Sequence, residues 1–353
     1  MSPASRGARP GSALRAWHVL AAAAFACVAA LVGLSVGAVH VPIAAILGDI
    51  AWRIHIGRDH LGGQPMGQVD SVIVWTLRAP RVVLGLLVGG TLAVAGGAYQ
   101  GVFRNPLADP YLLGIAAGAG LGATIAIVVI GGGANTPGVT PIFAFAGALV
   151  AVVATWLVAG RGATGPTTLI LAGIAVASMF AAVQTLLQQS SSLAVRNVYY
   201  WLLGSLAGAT WSGIASVVPY MVVSVAVCIS SARLLDVLSV GELESASLGL
   251  PVVAVRTIVI AAASLGAAAA VAAAGLIGFV GIVVPHAVRL LVGVSYRRIL
   301  VLSMFGGAGF LVLADVLARI AVPDAELPIG VVTAILGVPF FVLVLHVRRL
   351  RLR

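Results

Sequence analysis

The amino-acid sequence predicts an all-α membrane protein with about ten spanning helices. Two observations predict this class. The 353 residues are 61% hydrophobic and 8% charged, whereas soluble domains carry about 25% charged residues. The apolar residues also fall into runs of about 20, the length that a helix needs to cross a bilayer. A soluble fold of this composition would expose more apolar surface than monomeric proteins tolerate in water.

Ten apolar runs predict the spans, and no charged or Ser/Gly-rich linker divides the chain. Alanine and glycine recur within the runs at close spacing, which favours tightly packed helices. We therefore expect a single transmembrane domain over residues 1–353. The predicted spans are 16–38, 80–101, 111–132, 141–160, 168–188, 212–232, 252–274, 276–294, 299–321 and 328–347.

Arginine placement predicts the orientation. Cytoplasmic loops are enriched in basic residues, and ten spans put both termini on one side, so we expect both termini in the cytoplasm. The first apolar run exceeds the ~7–15 residues of a cleaved signal-peptide core, which predicts a retained span after a cytoplasmic tail of about residues 1–15. The arginines that indicate this orientation are Arg6, Arg9, Arg15, Arg161, Arg233, Arg297, Arg298, Arg348, Arg349, Arg351 and Arg353.

Composition also argues against several function classes. All 20 basic residues are arginine, and a P-loop ATPase site needs a lysine at the β- and γ-phosphates. We therefore expect no such site on this chain, and no other residue pattern in it predicts a catalytic residue or a bound cofactor. The net charge of +10 lies at the segment ends, which indicates membrane topology and not nucleic-acid binding. Six His and two Cys form no spaced ligand set, so no metal site is expected.

Asp315 is the only acid well inside an apolar run. Arg319 lies four residues later on the same helix face, which favours an ion pair. Because an intramembrane acid is also a candidate proton relay, an ion-coupled secondary carrier remains an alternative, with inverted repeats and a midplane ion site. The scarcity of other interior carboxylates argues against it. A third candidate function is a membrane anchor, which would contain no polar path across the membrane.

A polar turn, RNPLADP, separates the second and third runs. Pro106 and Pro110 fix φ and restrict the residues before them. Asn105 and Asp109 can bond freed backbone groups, with Asp109 at the N-terminal end of the next helix. Arg104 places the turn on the cytoplasmic side. The residues alone predict a rigid structural turn.

Seven stretches, taken in order, resemble the membrane permeases of bacterial ABC importers for ferric siderophores, haem and vitamin B12. The resemblance covers nearly the whole chain past residue 70. The stretches are LRAPR (77–81), RNPLADPYLLGIAAGAGLGA (104–123), WLLGSLAGATW (201–211), LSVGELESASLGLP (238–251), GLIGFVGIVVPHAVRLLVG (275–293), ADVLARI (314–320) and ELPIGVVTAILGVPFFVLVL (326–345).

The resemblance implies the vitamin B12 permease fold of type II ABC importers. It implies a homodimer in the bacterial inner membrane, with two cytoplasmic ATPase subunits that bind ATP and Mg. A periplasmic or lipid-anchored substrate-binding protein would dock on the other side. The implied function is ATP-driven import of a metal chelate by alternating access, with a ferric siderophore or haem as cargo and vitamin B12 as the alternative.

The resemblance also implies roles for particular residues. A segment of about 234–251 should form short helices that dock on the ATPase; its residues are Gly241, Glu242, Glu244, Ser245 (where Ala is common in the family) and Gly249. Three arginines should meet carboxylates of the binding protein, or be ordinary interfacial arginines: Arg78, Arg81 and Arg319. Span 5, an outer helix and span 10 should line the path, with Gln184, Gln188, Gly204, Ser205 and Trp211; the glutamines could equally bond between helices.

Overall fold

The computed structural model describes residues 16–53, 66–131, 138–160, 166–189, 192–323 and 325–350. These residues form 14 α-helices, and the extended structure among them is one isolated bridge between Val322 and Ala325. The helices are α1 Ala16–Ser35, α2 Ile43–Arg53, α3 Gln68–Val102, α4 Ile115–Val129, α5 Val139–Ala159, α6 Pro166–Gln188, α7 Ser192–Leu202, α8 Trp211–Ser230, α9 Ala232–Leu238, α10 Glu242–Ser247, α11 Val252–Ala274, α12 Val280–Val292, α13 Tyr296–Ile320 and α14 Ile329–Leu350.

The all-α prediction is confirmed over the described residues. Seven helices there are long and apolar enough to cross a membrane: α1, α3, α5, α6, α8, α11 and α13. Three shorter apolar helices, α4, α12 and α14, fall on the remaining predicted runs. Each of the ten predicted runs therefore corresponds to one apolar helix.

Several helices begin away from the predicted residues, and two of them show the physical reason. The second span was expected to begin at residue 80, but α3 begins at Gln68. A π-helical stretch, Ile73–Arg78, widens the turn just before Pro80, which lacks the N–H of a regular α-helical bond. In contrast, α12 begins only at Val280, because Gly275 and Phe279 both have positive φ.

Three helices form the centre of the bundle. Buried residues make up 83% of the spanning window of α3, 72% of α11 and 67% of α13, compared with 22–28% for α1, α5, α6 and α8. The outer helices consequently expose apolar side chains. This distribution is that of a bundle whose outer ring meets acyl chains or another protein.

The backbones of α3 and α13 are in direct contact at two glycines. A Cβ on Gly307 would lie 2.3 Å from the carbonyl oxygen of Gly89, and a Cβ on Gly89 would lie 2.2 Å from that of Gly307. Both distances are far below van der Waals contact. Glycine at these two positions therefore permits the close crossing of the two helices.

α3 and α13 connect two polar ends of the bundle. We call the end that holds Arg81 and Arg319 the Arg81 face, and the end that holds Arg104 and Glu242 the Glu242 face. α13 has 25 residues and therefore spans about 37 Å at 1.5 Å per residue, enough to cross the hydrocarbon core of a bilayer.

Part of the orientation signal lies outside the described residues. This applies to the N-terminal tail of residues 1–15, to Arg161, Arg351 and Arg353, and to the side chains of Arg348 and Arg349. The orientation therefore remains a prediction.

Replacing Gly307 by Ala tests the crossing of α3 and α13. The added methyl group would overlap the Gly89 carbonyl, and overpacking costs about 1–3 kcal/mol. We expect the melting temperature in detergent, followed by circular dichroism, to fall by several degrees. Gly48→Ala in α2 is the matched control, because a Cβ there meets no atom within 4 Å. Equal melting temperatures for both variants would contradict the crossing.

Candidate functional site

A buried carboxylate organises the Arg81 face. Asp315 is 2% exposed and accepts from Arg81, whose Nε lies 3.0 and 3.1 Å from the two carboxylate oxygens and whose Nη2 lies 2.9 Å from Oδ1. Arg319 adds an ion pair at 3.1 Å from Nε to Oδ2. The predicted pair of Asp315 with Arg319 is confirmed, and Arg81 from another helix joins it.

A second, exposed carboxylate also contacts Arg81. Glu326, in the connection between α13 and α14, accepts from Arg81 Nη1 at 2.9 Å. Its side chain is 50% exposed, whereas that of Arg81 is 11% exposed. Arg81 therefore lies between a buried acid on its inner side and a half-exposed acid on its outer side.

Arg78 and Arg319 stabilise the end of α1. The last carbonyls of a helix lack partners within the helix, and cations are favoured there. Arg78 donates to the carbonyls of Leu34 at 2.8 Å and Ser35 at 2.9 Å. Arg319 donates to that of Gly33 at 3.0 Å. Most donors of these two arginines are thus used within the chain.

The three arginines line one open cavity of about 540 Å³ on the Arg81 face. Glu326 and Thr76 lie on its wall with Arg78, Arg81 and Arg319. Three guanidinium groups around one cavity favour an anionic occupant, and a carboxylate fits the guanidinium fork best.

On the Glu242 face, two stretches that the sequence singled out separately lie together. Glu242, the first residue of α10, accepts from Nη2 of Arg256 in α11 and lies 3.9 Å from Arg104 Nη2 in the RNPLADP turn. Arg256 is 3% exposed. Glu242, which was predicted to supply charge on a polar helix face, therefore pairs mainly with arginines of the same chain.

Ser245 attaches α10 to α9. Its hydroxyl is buried, donates to the Val237 carbonyl at 2.9 Å and also contacts that of Gly241. The serine found where the family commonly has alanine thus adds hydrogen bonds within the segment. Gly241 and Gly249 have φ of +148° and +82°, as the predicted turns require.

The α9–α10 segment exposes several apolar side chains beside the charged Arg233 and Glu244. Leu243 is 84% exposed, and Val240 and Leu248 are also exposed. Glu244 lies among them on the surface. The segment therefore forms short helices, as predicted, but only one of its two predicted surface acids, Glu244, is free of the Arg256 pair.

The roles of Asp236 and Arg256 were not predicted from the sequence. Asp236, in α9, accepts from Ser295 Oγ at 2.9 Å and from the Tyr296 N–H at 2.5 Å, and so caps α13. Arg256 lies inside an apolar run, where a charge needs a partner. That rule could have flagged Arg256, but nothing local identified Glu242 as its partner.

The RNPLADP turn has the internal bonds that its residues predict. Asn105 Oδ1 accepts from the Leu107 N–H at 3.0 Å, and Asp109 Oδ1 accepts from the Tyr111 N–H at 2.7 Å. Pro110 begins a short 3-10 helix. Burial raises the pKa of Asp109 to about 6, although the Tyr111 N–H acts in the opposite direction.

The residues predicted for the path do not lie on one element. Gly204 and Ser205 were assigned to the outer helix with Trp211, but that helix, α7, ends at Leu202 and Trp211 begins α8. Gly204 has a φ of +76°, which ends α7, and the Ser205 N–H donates to the Ala274 carbonyl at 2.9 Å.

The two glutamines lie on α6, in a half-buried position. Gln184 faces α4, because a Cβ on Gly120 would lie 2.9 Å from its Oε1. The exposed side of α6 instead carries Ser178 and Thr185. This placement favours helix packing for Gln184, and the path remains a prediction.

A model of the FecCD transport family matches residues 21–347. The chain belongs to the FecCD transport family. Its curated relatives include the "Cobalamin import system permease protein BtuC" of Halobacterium salinarum, 43% identical over 80% of this chain and 76% of that protein. The "Fe(3+) dicitrate transport system permease protein FecD" of Escherichia coli is 37% identical over 89% and 93%.

A solved structure supports the same conclusion. It is an inward-facing conformation of an ABC transporter described as of the metal-chelate type, with a TM-score of 0.80 and 27% identity. The match covers 93% of this chain and 98% of that one. This FecCD-family chain is thus a multi-pass ABC importer permease with the predicted fold. Its described residues contain no group of three His, Cys, Asp or Glu that could hold a metal ion.

Glu242→Gln tests the ion pair that joins α10 to α11. Removing the charge leaves Arg256 buried without its carboxylate, and breaking such pairs costs more than the ~0–1 kcal/mol of exposed ones. Because Glu242 is partly exposed, we expect a fall in the free energy of unfolding of about 1–3 kcal/mol, the cost of an unsatisfied buried donor, seen as a lower melting temperature. Glu244→Gln is the control and should change it by less than about 0.5 kcal/mol. Equal changes in melting temperature for the two variants would contradict this interpretation.

Asp109→Asn tests the half-buried carboxyl group of the turn. Since the folded-state pKa of about 6 exceeds the ordinary 3.8, the folded protein binds more protons than the unfolded chain between these values. Stability should therefore fall as pH rises through that window. Asn retains the bond from Tyr111 and does not titrate, so its melting-temperature advantage over the wild type should grow from pH 4 to 7. A constant difference would contradict this.

Proposed function

We propose that this permease imports a metal chelate across the bacterial inner membrane with energy from ATP. The proposal rests on one observation: two distinct surfaces lie at opposite ends of the same helices. One is an arginine-lined cavity on the Arg81 face, and the other is an exposed apolar segment on the Glu242 face. The first suits an acidic protein partner and the second a partner with an apolar groove.

The proposed orientation puts the Glu242 face in the cytoplasm. Arg104 lies on this face, and Arg297 and Arg298 follow Tyr296, whose N–H donates to Asp236, in the first turn of α13. Basic residues near span ends favour the cytoplasmic side. Both termini then lie in the cytoplasm, and the Arg81 face is periplasmic or extracellular.

The α9–α10 segment is the proposed contact with a separate ATPase, which binds ATP and Mg. Leu243 and Leu248 supply the exposed apolar contact. The Ser245 hydrogen bonds and the Glu242–Arg256 pair hold the segment against α9 and α11, and Asp236 binds it to the start of α13. Movement of the segment would therefore be transmitted to the spanning helices, as alternating access requires.

The cavity on the Arg81 face is the proposed dock for carboxylates of a substrate-binding protein. A homodimer would present two such cavities, one for each lobe of the partner, and the shared axis would form the path. In this scheme the permease makes and breaks no covalent bond.

The proposed cargo is a ferric siderophore or haem, with vitamin B12 as the second candidate. The iron-citrate permease among the relatives supports the first, and the 43% identity to a cobalamin permease supports the second. Both cargoes are large chelates of a metal.

Reconstituted transport tests the proposal. Vesicles would contain the permease and its ATPase, with ATP inside and the substrate-binding protein outside. Haem, cobalamin and a ferric siderophore would be offered in turn with an uncoupler present. We expect ATP-dependent uptake of one cargo that the uncoupler does not reduce.

The control is an ATPase whose P-loop lysine is replaced, which should abolish uptake. Uptake without ATP that the uncoupler removes would refute the ABC mechanism. It would instead favour an ion-coupled carrier, in which Asp315 would be the candidate ion site.

A further inference from the structure

We propose that Glu326 is an internal competitor for the docking site on the Arg81 face. Its carboxylate occupies the outward-facing donor of Arg81 until a carboxylate of the substrate-binding protein replaces it. Asp315 stays in place throughout and positions Arg81 and Arg319. This inference rests on the docking role proposed above for the arginine cavity.

The guanidinium group of Arg81 divides its donors between two acids. The Nε and Nη2 edge binds Asp315, with three N···O distances of 2.9–3.1 Å. Nη1 binds Glu326 Oε1 at 2.9 Å. The Nη1 donor is therefore the part of Arg81 that an incoming carboxylate must take, and in this conformation Glu326 occupies it.

Burial separates the roles of the two acids. Asp315 is 2% exposed and lies between two arginines, so removing it would leave buried cations uncompensated. Glu326 is half exposed, and exposed ion pairs contribute little net stability. An external carboxylate can consequently displace Glu326 at small cost, but not Asp315.

The backbone around Glu326 is fixed independently of its side chain. The Leu327 N–H donates to the Ala318 carbonyl at 3.0 Å, and the Ile329 N–H donates to that of Gly204. The Glu326 side chain can therefore turn away from Arg81 without disturbing α13 or α14. The cavity of about 540 Å³ beside it has room for a replacing side chain.

Arg81 is also the arginine best suited to the exchange. Arg78 donates to three backbone carbonyls of residues 34–39, and Arg319 donates to two and pairs with Asp315. These contacts belong to the fold itself. Replacing Glu326 on Arg81 exchanges one carboxylate for another, so the charge balance of the cavity is unchanged. Before the substrate-binding protein docks, Glu326 therefore keeps unrelated anions from binding to Arg81. This competition favours the correct partner.

The test is the affinity of the cognate substrate-binding protein for the full permease with its ATPase in nanodiscs, measured by surface plasmon resonance. Glu326→Gln removes the competitor and should tighten binding about 3–10-fold at low salt. Asp70→Asn is the matched control, because Asp70 is an acid near Arg78 that does not contact Arg81. It should change affinity less than about twofold. Higher salt should reduce the gain.

Several outcomes would overturn the inference. Equal affinities of Glu326→Gln and Asp70→Asn would show a general charge effect, and weaker binding by Glu326→Gln would show a structural role. Both results leave the importer function intact. If the wild-type permease binds no substrate-binding protein, the docking proposal and this inference fall together. Asp315→Asn should weaken binding at least tenfold; a variant that fails to fold leaves the Glu326→Gln comparison decisive.

Discussion

The close crossing of α3 and α13 is the constraint on which both polar faces depend. Gly89 and Gly307 allow the two backbones to touch, which fixes the axial position of one helix relative to the other. Arg81 on α3 can then reach Asp315 on α13. At the other end, α13 begins beside α9 and α3 leads into the turn that reaches Glu242. A single packing contact thus sets the geometry of both faces.

Charge in this chain follows a consistent pattern. Water is absent from the bilayer core, so a buried ionic group needs partners, either an opposite charge or backbone carbonyls such as those that Arg78 binds. Asp315 and Arg256 each lie almost fully buried and each has such a partner from another helix. Outside each pair lies a more exposed residue, Glu326 on one face and Arg104 on the other.

Much of the fold follows from the sequence, because lipid selects for long apolar runs. The α11 boundaries match the prediction of 252–274, since Pro251 and Gly275 mark its ends. The early start of α3 at Gln68 depends on a π-helical stretch that hydropathy does not register. The partners of Arg256 and Asp236 depend on tertiary contacts. Family resemblance singled out the α9–α10 segment but could not show that Glu242 pairs with Arg256.

The short length of α12 has a consequence for how this part of the chain crosses the membrane. Its 13 residues span about 20 Å, less than the ~30 Å hydrocarbon core. The non-helical backbone before it is bonded inside the protein, where Ser205 and Tyr111 donate to the carbonyls of Ala274 and Ile277, as required for irregular backbone at membrane depth. In the folded protein α12 by itself is therefore too short to cross the hydrocarbon core, and the segment relies on bonds from its neighbours to hold the backbone that precedes it.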